Sequence, residues 1–172
     1  MSYELLERAL LQEALGLLAR RDHSIRELHT KLTKKCRDAH ARHPKGDRAR
    51  AISAVIHDLT ARGYLDDRRA ALAWARRSRA RWQGDARLRR DLKRRGIDGS
   101  IVDSVLEELP DNEEALQAAL ESYVRRRGEP TARRELQQCY GYLVRLGHSP
   151  SRVRQSLAPY FRKLGAEGVT GD

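Results

Sequence analysis

The pentapeptide Gly63-Tyr64-Leu65-Asp66-Asp67, here called the corner motif, predicts where one helix ends and the next begins. Gly63 is typical of a left-handed helix C-cap, and it follows a helical repeat of apolar residues, Ile52, Val55, Ile56 and Leu59. We expect Tyr64 and Leu65 to fold back on that helix, with Tyr64 plugging the corner. Asp66 or Asp67 is a suitable N-cap for the next helix. The corner motif therefore predicts two helices joined by a tight turn.

Two arginine-rich helical patterns follow the corner motif. The first, 68–82, has one face made of Ala71, Trp74, Ala75, Ser78 and Trp82. At 100° per residue, Arg69, Arg76 and Arg77 lie roughly opposite that face. The second, 85–95, turns Leu88 and Leu92 inward and ends before Gly96. Residues 76–95 contain ten Lys or Arg and two Asp, a local charge of +8 in a chain of net charge +11.

The high pI, about 10.2, favours an anionic partner, since clustered cations release condensed counterions when they meet phosphates. Nucleic acid is favoured over membrane because the apolar faces of the basic helices are needed for internal packing. The candidate residues for contact with DNA or a protein partner are Arg69, Arg76, Arg77, Arg79, Arg81, Arg87, Arg90, Lys93 and Arg94. Such contacts position a nucleic acid without reading its sequence. The alternative is a merely solvated charged face.

Composition favours several thin cores over one thick core. Charged residues make up 34% of the 172 residues and aromatic residues only 5%. No apolar run approaches the roughly 20 residues that span a bilayer, and three glutamates among the first 18 residues are unlike a signal peptide. We therefore expect a cytoplasmic protein. Cys36 and Cys139 are predicted to be free thiols in a reducing compartment.

Hydrophobic periodicity predicts nine helices and no strand. Ser24 and Glu27 have the spacing of a capping box at the start of the second helix, and Pro150 follows the N-cap Ser149 at the start of the ninth. The other seven helices are predicted over about 4–21, 47–62, 66–82, 85–95, 99–109, 112–127 and 130–146. The fold class is therefore all-α.

Internal repeats group the nine helices into threes. Residues 96–109 match residues 147–160 at an offset of 51, and Leu28 and Leu32 match Leu88 and Leu92 at an offset of 60. Repeats of this size are stabilised by stacking on their neighbours. We predict three tandem three-helix repeats, 1–63, 64–110 and 111–165, in an elongated, curved array, with a basic loop at about 37–48 and a disordered tail at 166–172. A compact nine-helix bundle is the alternative.

The chain resembles the RecX family, bacterial regulators of the RecA recombinase that are built from tandem three-helix repeats. The resemblance covers roughly residues 10–160 and is carried by the corner motif with Arg68, the run 84–96, the tripeptide Gly147-His148-Ser149, and the segment 21–28 with Leu32. Departures are Ala70 and Ala71, where the family often has an aromatic-alanine pair, and a longer loop after Cys36.

The resemblance implies a non-enzymatic regulator of DNA repair, recombination and the SOS response. It implies that the protein lies along the groove of the RecA nucleoprotein filament and restrains ATP turnover, strand exchange and co-protease activity. It further implies sequence-independent contact with single- and double-stranded DNA. We expect a monomer without a cofactor. The alternatives are a free-standing helix-turn-helix DNA-binding protein and a nuclease with an acidic metal cluster.

Several residues are of types that can bind metals, catalyse reactions or bind bases, but we interpret them as structural or surface residues. Cys36, His40 and His43 lack a nearby fourth zinc ligand, and we predict ordinary surface histidines, as also for His29 and His57. The adjacent carboxylates of the corner motif are interpreted as helix caps rather than an acid–base pair or a magnesium site. No Gly-x-x-x-x-Gly-Lys-Ser/Thr run is present, so ATP hydrolysis is not expected. Trp82 is expected in the core, with stacking on a nucleobase as the alternative.

Overall fold

The computed structural model describes residues 3–39, 43–109 and 112–167, and within these ranges the chain forms nine α-helices and no strand. The helices are α1 (Tyr3–Leu18), α2 (Ile25–Ala39), α3 (Lys45–Ala61), α4 (Asp67–Arg79), α5 (Asp85–Arg94), α6 (Gly99–Glu108), α7 (Asn112–Arg127), α8 (Arg133–Arg145) and α9 (Pro150–Glu167). The predicted all-α fold class is confirmed. The predicted tail began too early, because α9 continues to Glu167, and residues 168–172 of it lie outside the described residues. The predicted loop at about 37–48 was too long, because α2 extends to Ala39 and α3 begins at Lys45; residues 40–42 of it, including His40, also lie outside the described residues.

The helices form two compact units. The first unit comprises Met1–Trp74 and Leu92–Val105. In it α1, α2 and α3 pack against one another, because each carries apolar residues at helical spacing that point to one core. The largest side chains buried in this core are Leu6, Leu10, Leu28, Leu32, Leu59 and Leu65.

The second unit comprises Ala75–Asp91 and Leu106–Asp172. In it α7, α8 and α9 pack together. Their core contains Leu116, Leu136, Cys139, Leu143 and Leu157, all fully buried. The helices α4, α5 and α6 contribute residues to both units, since the division falls within each of them.

The corner motif ends α3 and begins α4 as predicted, with one correction. Gly63 has φ +72°, and the Tyr64 and Leu65 N–H groups both donate to the Leu59 carbonyl, at 2.9 and 3.2 Å. The residue that plugs the corner is Leu65, which is 2% exposed, whereas Tyr64 is 54% exposed. The prediction for Tyr64 was wrong because consecutive side chains in an extended segment point in opposite directions, and only one of the two enters the core.

The two aspartates of the corner motif cap different helices. Asp66 Oδ1 accepts a hydrogen bond from the Arg69 N–H at 3.1 Å, as expected of an N-cap of α4. Asp67 Oδ1 instead accepts from the Ile25 N–H at 2.7 Å, at the start of α2. Burial raises the pKa of Asp67, and the nearby Asp66 adds to that effect, while the bond from Ile25 opposes it. Both carboxylates are therefore structural.

A junction between helix ends occurs once in each unit, at positions that the repeat offsets relate. In the first unit, Ser24 Oγ at the start of α2 donates to the Arg95 carbonyl at 2.6 Å. In the second, the Gly84 N–H at the start of α5 donates to the Leu146 carbonyl at 2.8 Å. Ser24 and Gly84 are separated by 60 residues, and Arg95 and Leu146 by 51. Each helix start therefore contacts the end of a helix that lies later in the chain.

Candidate nucleic-acid interface

The second unit presents exposed arginines at the end of α4 and on α5. Arg76, Arg77, Arg81 and Arg90 are all exposed. None of the four forms an ion pair within residues 3–39, 43–109 and 112–167. Arginine side chains without an acidic partner remain available for a phosphate or a carboxylate of another molecule. These four residues are here called the free arginines.

Two further candidates lie on the last turn of α5, in the first unit. Lys93 and Arg94 are exposed, and their charges are favourable at a helix C-terminus. Lys93 forms no ion pair among the residues that the structure describes. We therefore count it as a fifth cation available to a partner.

Arg79 is not part of this surface, contrary to the sequence-based expectation. Its side chain is 11% exposed, and its guanidinium donates to Asp85 Oδ1 at 2.5 Å, Asn112 Oδ1 at 2.6 Å and the Gln83 carbonyl at 3.0 Å. The arginine thus links α4, α5 and α7. It faces inward because α4 ends at this residue and the chain turns back over it.

Arg69 also has a structural role. Its Nε donates to Asp22 Oδ1 at 2.9 Å, and its two terminal nitrogens donate to the carbonyls of Gly63 and Tyr64 at 2.9 and 2.8 Å. The guanidinium therefore closes the corner motif. These bonds use three of its five N–H donors, so Arg69 is not counted with the free arginines, and its contact with a partner stays a prediction.

Arg87 is partly structural and partly accessible. It is half-buried, its Nε is 3.8 Å from Asp91 Oδ2 one turn along α5, and its backbone covers Gly147. A Cβ atom placed on Gly147 would lie 2.5 Å from the Arg87 nitrogen. The residue is thus part of the junction in the second unit, and its side chain is 42% exposed.

Sequence reasoning missed a cluster around Glu27 in the first unit. The Glu27 carboxylate pairs with Arg95, and with Arg21 at 3.4 Å, while Arg95 also stacks 3.5 Å above the Trp74 ring. The capping box with Ser24 is present, since the Glu27 N–H donates to Ser24 Oγ at 3.1 Å and the Ser24 N–H donates to Glu27 Oε2 at 3.2 Å. Burial opposes ionisation, yet the Ser24 hydrogen bond and the two guanidiniums lower the pKa of Glu27. The spacing of Ser24 and Glu27 predicted the capping box, but nothing in the sequence predicted that Arg95 pairs with Glu27.

Three of the described histidines are buried, and two of them donate hydrogen bonds to backbone carbonyls. Nδ1 of His23 donates to the Arg21 carbonyl, and Nε2 of His148 donates to the Trp82 carbonyl, both at 2.9 Å. Burial lowers the pKa of both imidazoles. His43 is 8% exposed, so the prediction of a surface histidine was wrong there, whereas His29 and His57 are exposed as predicted.

Trp82 does not lie on the buried face of α4, because that helix ends at Arg79. The residue is 36% exposed, in the turn before α5, with φ +59°. The expectation of a core tryptophan was wrong because it extended the helical periodicity beyond the point where the backbone leaves the helix.

Other chemistry is limited in the part of the chain that the structure covers. Among the described residues, no group of three or more His, Cys, Asp or Glu is arranged to hold a metal ion. Cys36 and Cys139 are free, buried thiols, and burial raises the pKa of Cys139 to about 11. No described helix combines the length and the apolar character needed to cross a membrane.

Comparison with known proteins identifies the family. Residues 66–106 match the family model described as RecX, second three-helix domain. The chain is 33% identical over 150 residues to a regulatory protein RecX of Halorhodospira halophila, covering 87% of each chain. It is 37% identical over 145 residues to that of Leptothrix cholodnii, covering 84% of each.

Solved structures show the same fold. A crystal structure of regulatory protein RecX has a TM-score of 0.68 at 20% identity, over 90% of this chain and 72% of that chain. The structure of RecX from Lactobacillus salivarius also has a TM-score of 0.68, at 19% identity, over 89% and 97% of the two chains. The nine helices, the corner motif and these similarities together show that this chain belongs to the RecX family of regulatory proteins.

Proposed function

We propose that this protein binds the RecA nucleoprotein filament and restrains its ATPase, strand-exchange and co-protease activities. Membership of a family of regulatory proteins supports a regulator of this kind. The observation that carries the proposal is the set of free arginines at the end of α4 and on α5. A RecA filament offers DNA phosphates and acidic protein surface, and both are suitable partners for guanidinium groups.

The role is non-enzymatic and is exerted in the cytoplasm by a monomer. Contacts to phosphates carry no sequence information, so single-stranded and double-stranded DNA are both suitable ligands. Contacts from successive repeats to neighbouring subunits reinforce one another through effective concentration. Each single contact is therefore weak, and the filament is bound more tightly than free DNA.

Charge reversal tests this proposal. The variant Arg76→Glu, Arg77→Glu, Arg90→Glu and Lys93→Glu replaces four cations that form no ion pair among the described residues. We expect it to retain its helical content by circular dichroism, because none of the four side chains is buried. Inhibition of RecA ATPase on single-stranded DNA should weaken strongly.

The control carries the same change of charge on other exposed positions, Lys31→Glu, Lys34→Glu, Arg125→Glu and Arg127→Glu. We expect it to inhibit nearly as well as the unaltered protein. Equal inhibition by the two variants would show that net charge alone, or a different surface, is responsible. Tight sequence-selective DNA binding without recombinase would favour a helix-turn-helix protein instead.

A further inference from the structure

Trp82 occupies a helix-end position that three other helices fill with glycine. At the end of α4 the Trp82 N–H donates to the Arg79 carbonyl at 2.8 Å, and the Gln83 N–H donates to the Ser78 carbonyl at 3.1 Å. The same pair of hydrogen bonds closes α3, α5 and α8, where the residue with positive φ is Gly63, Gly96 or Gly147. A side chain larger than that of glycine is strained in this backbone conformation.

The surrounding structure holds the tryptophan in this conformation. His148, itself 2% exposed, donates from Nε2 to the Trp82 carbonyl at 2.9 Å. The indole is left partly exposed, although burial would be the usual way for so large an apolar side chain to gain stability. Strained residues that the fold holds in place are concentrated at binding sites.

The exposed indole forms one wall of an open cavity of about 390 Å³ within the second unit. Arg76 and Glu114 form polar parts of the lining. The rest of the lining is mainly aliphatic and comes from Ala80, Leu109, Ala115 and Ala118. Arg79 also contributes to the lining, but its charge is balanced by Asp85. The volume is at the lower end of the range for small-ligand pockets.

Charge identifies the class of ligand. Arg76 lines the cavity, and Arg77 and Arg81 are close to it in sequence; all three are among the free arginines. Arg76 in the lining and the two nearby arginines, none with an ion pair among the described residues, outnumber the one carboxylate of the lining, Glu114, so a suitable ligand has a flat π-face for the aromatic wall and carries negative charge. An unpaired nucleotide has both properties, whereas the bases of a duplex are already stacked on each other.

We propose that Trp82 stacks on an unpaired base of single-stranded DNA while Arg76 and Arg81 contact the adjacent phosphates. This inference rests on the proposed function, since a recombinase filament is assembled on a single strand. It adds a base-stacking site to a surface otherwise described only by charge. Stacking on an aromatic side chain tolerates all bases, so the contact is sequence-independent.

The first test leaves Trp82 unaltered. In the variant Trp74→Phe, Trp82 is the only tryptophan, so intrinsic fluorescence reports on it alone. We expect oligothymidylate to quench this fluorescence, and an abasic oligodeoxyribonucleotide of the same length to leave it nearly unchanged. Equal quenching by the two ligands, or no quenching by oligothymidylate at saturation, would contradict the stacking proposal.

The second test removes the indole. Trp82→Gly fits the helix-end backbone, so folding is retained and circular dichroism serves as the check. We expect a loss of affinity for oligothymidylate of about 5- to 150-fold, which corresponds to about 1–3 kcal/mol of stacking. Trp82→Tyr keeps an aromatic face and should lose much less. Affinity for an abasic strand should change less than twofold in either variant.

Measurements with and without recombinase separate this inference from the proposed function. The stacking site is wrong and the proposed function stands if Trp82→Gly binds oligothymidylate as tightly as the unaltered protein does and the unaltered protein inhibits RecA ATPase. If quenching depends on bases but the unaltered chain has no effect on RecA activity, the proposed function is wrong and the stacking site stands.

Discussion

At the scale of single residues, similar arginines have different roles. Arg79 and Arg69 use their guanidinium groups to join separate parts of the chain, whereas Arg76 and Arg77 make no such bond within the described ranges. All four arginines lie on one short helix, α4, and composition alone does not distinguish them. The difference depends on which polar groups the tertiary structure brings near each side chain.

Arg79→Ala should destabilise the protein by about 2–3 kcal/mol, because it removes hydrogen bonds to a carboxylate, an amide and a carbonyl from a mostly buried side chain. Urea unfolding followed by circular dichroism measures the effect. The matched change Arg77→Ala, on an exposed side chain, should stay within about 0.5 kcal/mol. Similar values for the two variants would contradict the structural role of Arg79.

Glycine substitutions test the junction in the second unit. A Cβ atom on Gly84 would lie 2.4 Å from the carbonyl carbon of Gly147, so Gly84→Ala should cost about 1–3 kcal/mol. Gly147→Ala meets Arg87 and also requires φ +97°, so it should cost more. Gly16→Ala, within α1 and in open space, should instead stabilise by about 0.5–1 kcal/mol. If all three changes stabilised the protein in urea unfolding, the close approach at the junction would be refuted.

At the scale of elements, the ends of helices organise this protein. The start of α2 contacts the residue that follows α5, and the start of α5 contacts the residue that follows α8. Buried histidines support the turns before α2 and α5, since His23 donates to the carbonyl of Arg21 and His148 donates to that of Trp82. Since burial disfavours the charged form of both imidazoles more than these hydrogen bonds favour it, we expect the two turns to be sensitive to acid.

Stability should therefore fall as the pH is lowered through about 6.5. The folded-state pKa of His23 and that of His148 are below the ordinary value of 6.5. The unfolded chain thus takes up protons that the folded chain resists, and protonation favours unfolding. Thermal midpoints at pH 7.5 and 5.5 should differ less in His148→Gln than in the unaltered protein. The exposed control His29→Gln should leave the difference unchanged, and an equal effect of both changes would argue against His148.

At the scale of the whole molecule, five of the nine candidate cations form no ion pair among the described residues: Arg76, Arg77, Arg81, Arg90 and Lys93. The family model matches residues 66–106, which contain all five. The division into three repeats, with the central one over 64–110, remains our proposal. An elongated array is likewise a prediction, and small-angle X-ray scattering can test it.

Binding to duplex DNA should depend steeply on salt. With five phosphate contacts and a slope of about 0.9 per contact, affinity should fall roughly 500-fold between 50 and 200 mM salt. Fluorescence anisotropy with a labelled duplex measures this slope. Arg77→Ala should reduce the slope by about 0.9, while Lys34→Ala, an exposed cation outside the set, should not. A slope near zero would show that these cations do not meet phosphates.

The sequence by itself determined the nine helices, the corner motif and the capping box at Ser24, because helical periodicity and capping depend on residues a few positions apart. The offsets of 51 and 60 also located the glycine turns and the buried leucines. Only the tertiary structure decided which arginines are free, since Arg69, Arg79 and Arg95 bind partners 47, 33 and 68 residues away. It likewise placed Trp82 at the surface, because the end of α4 is set by long-range contacts that no local pattern records.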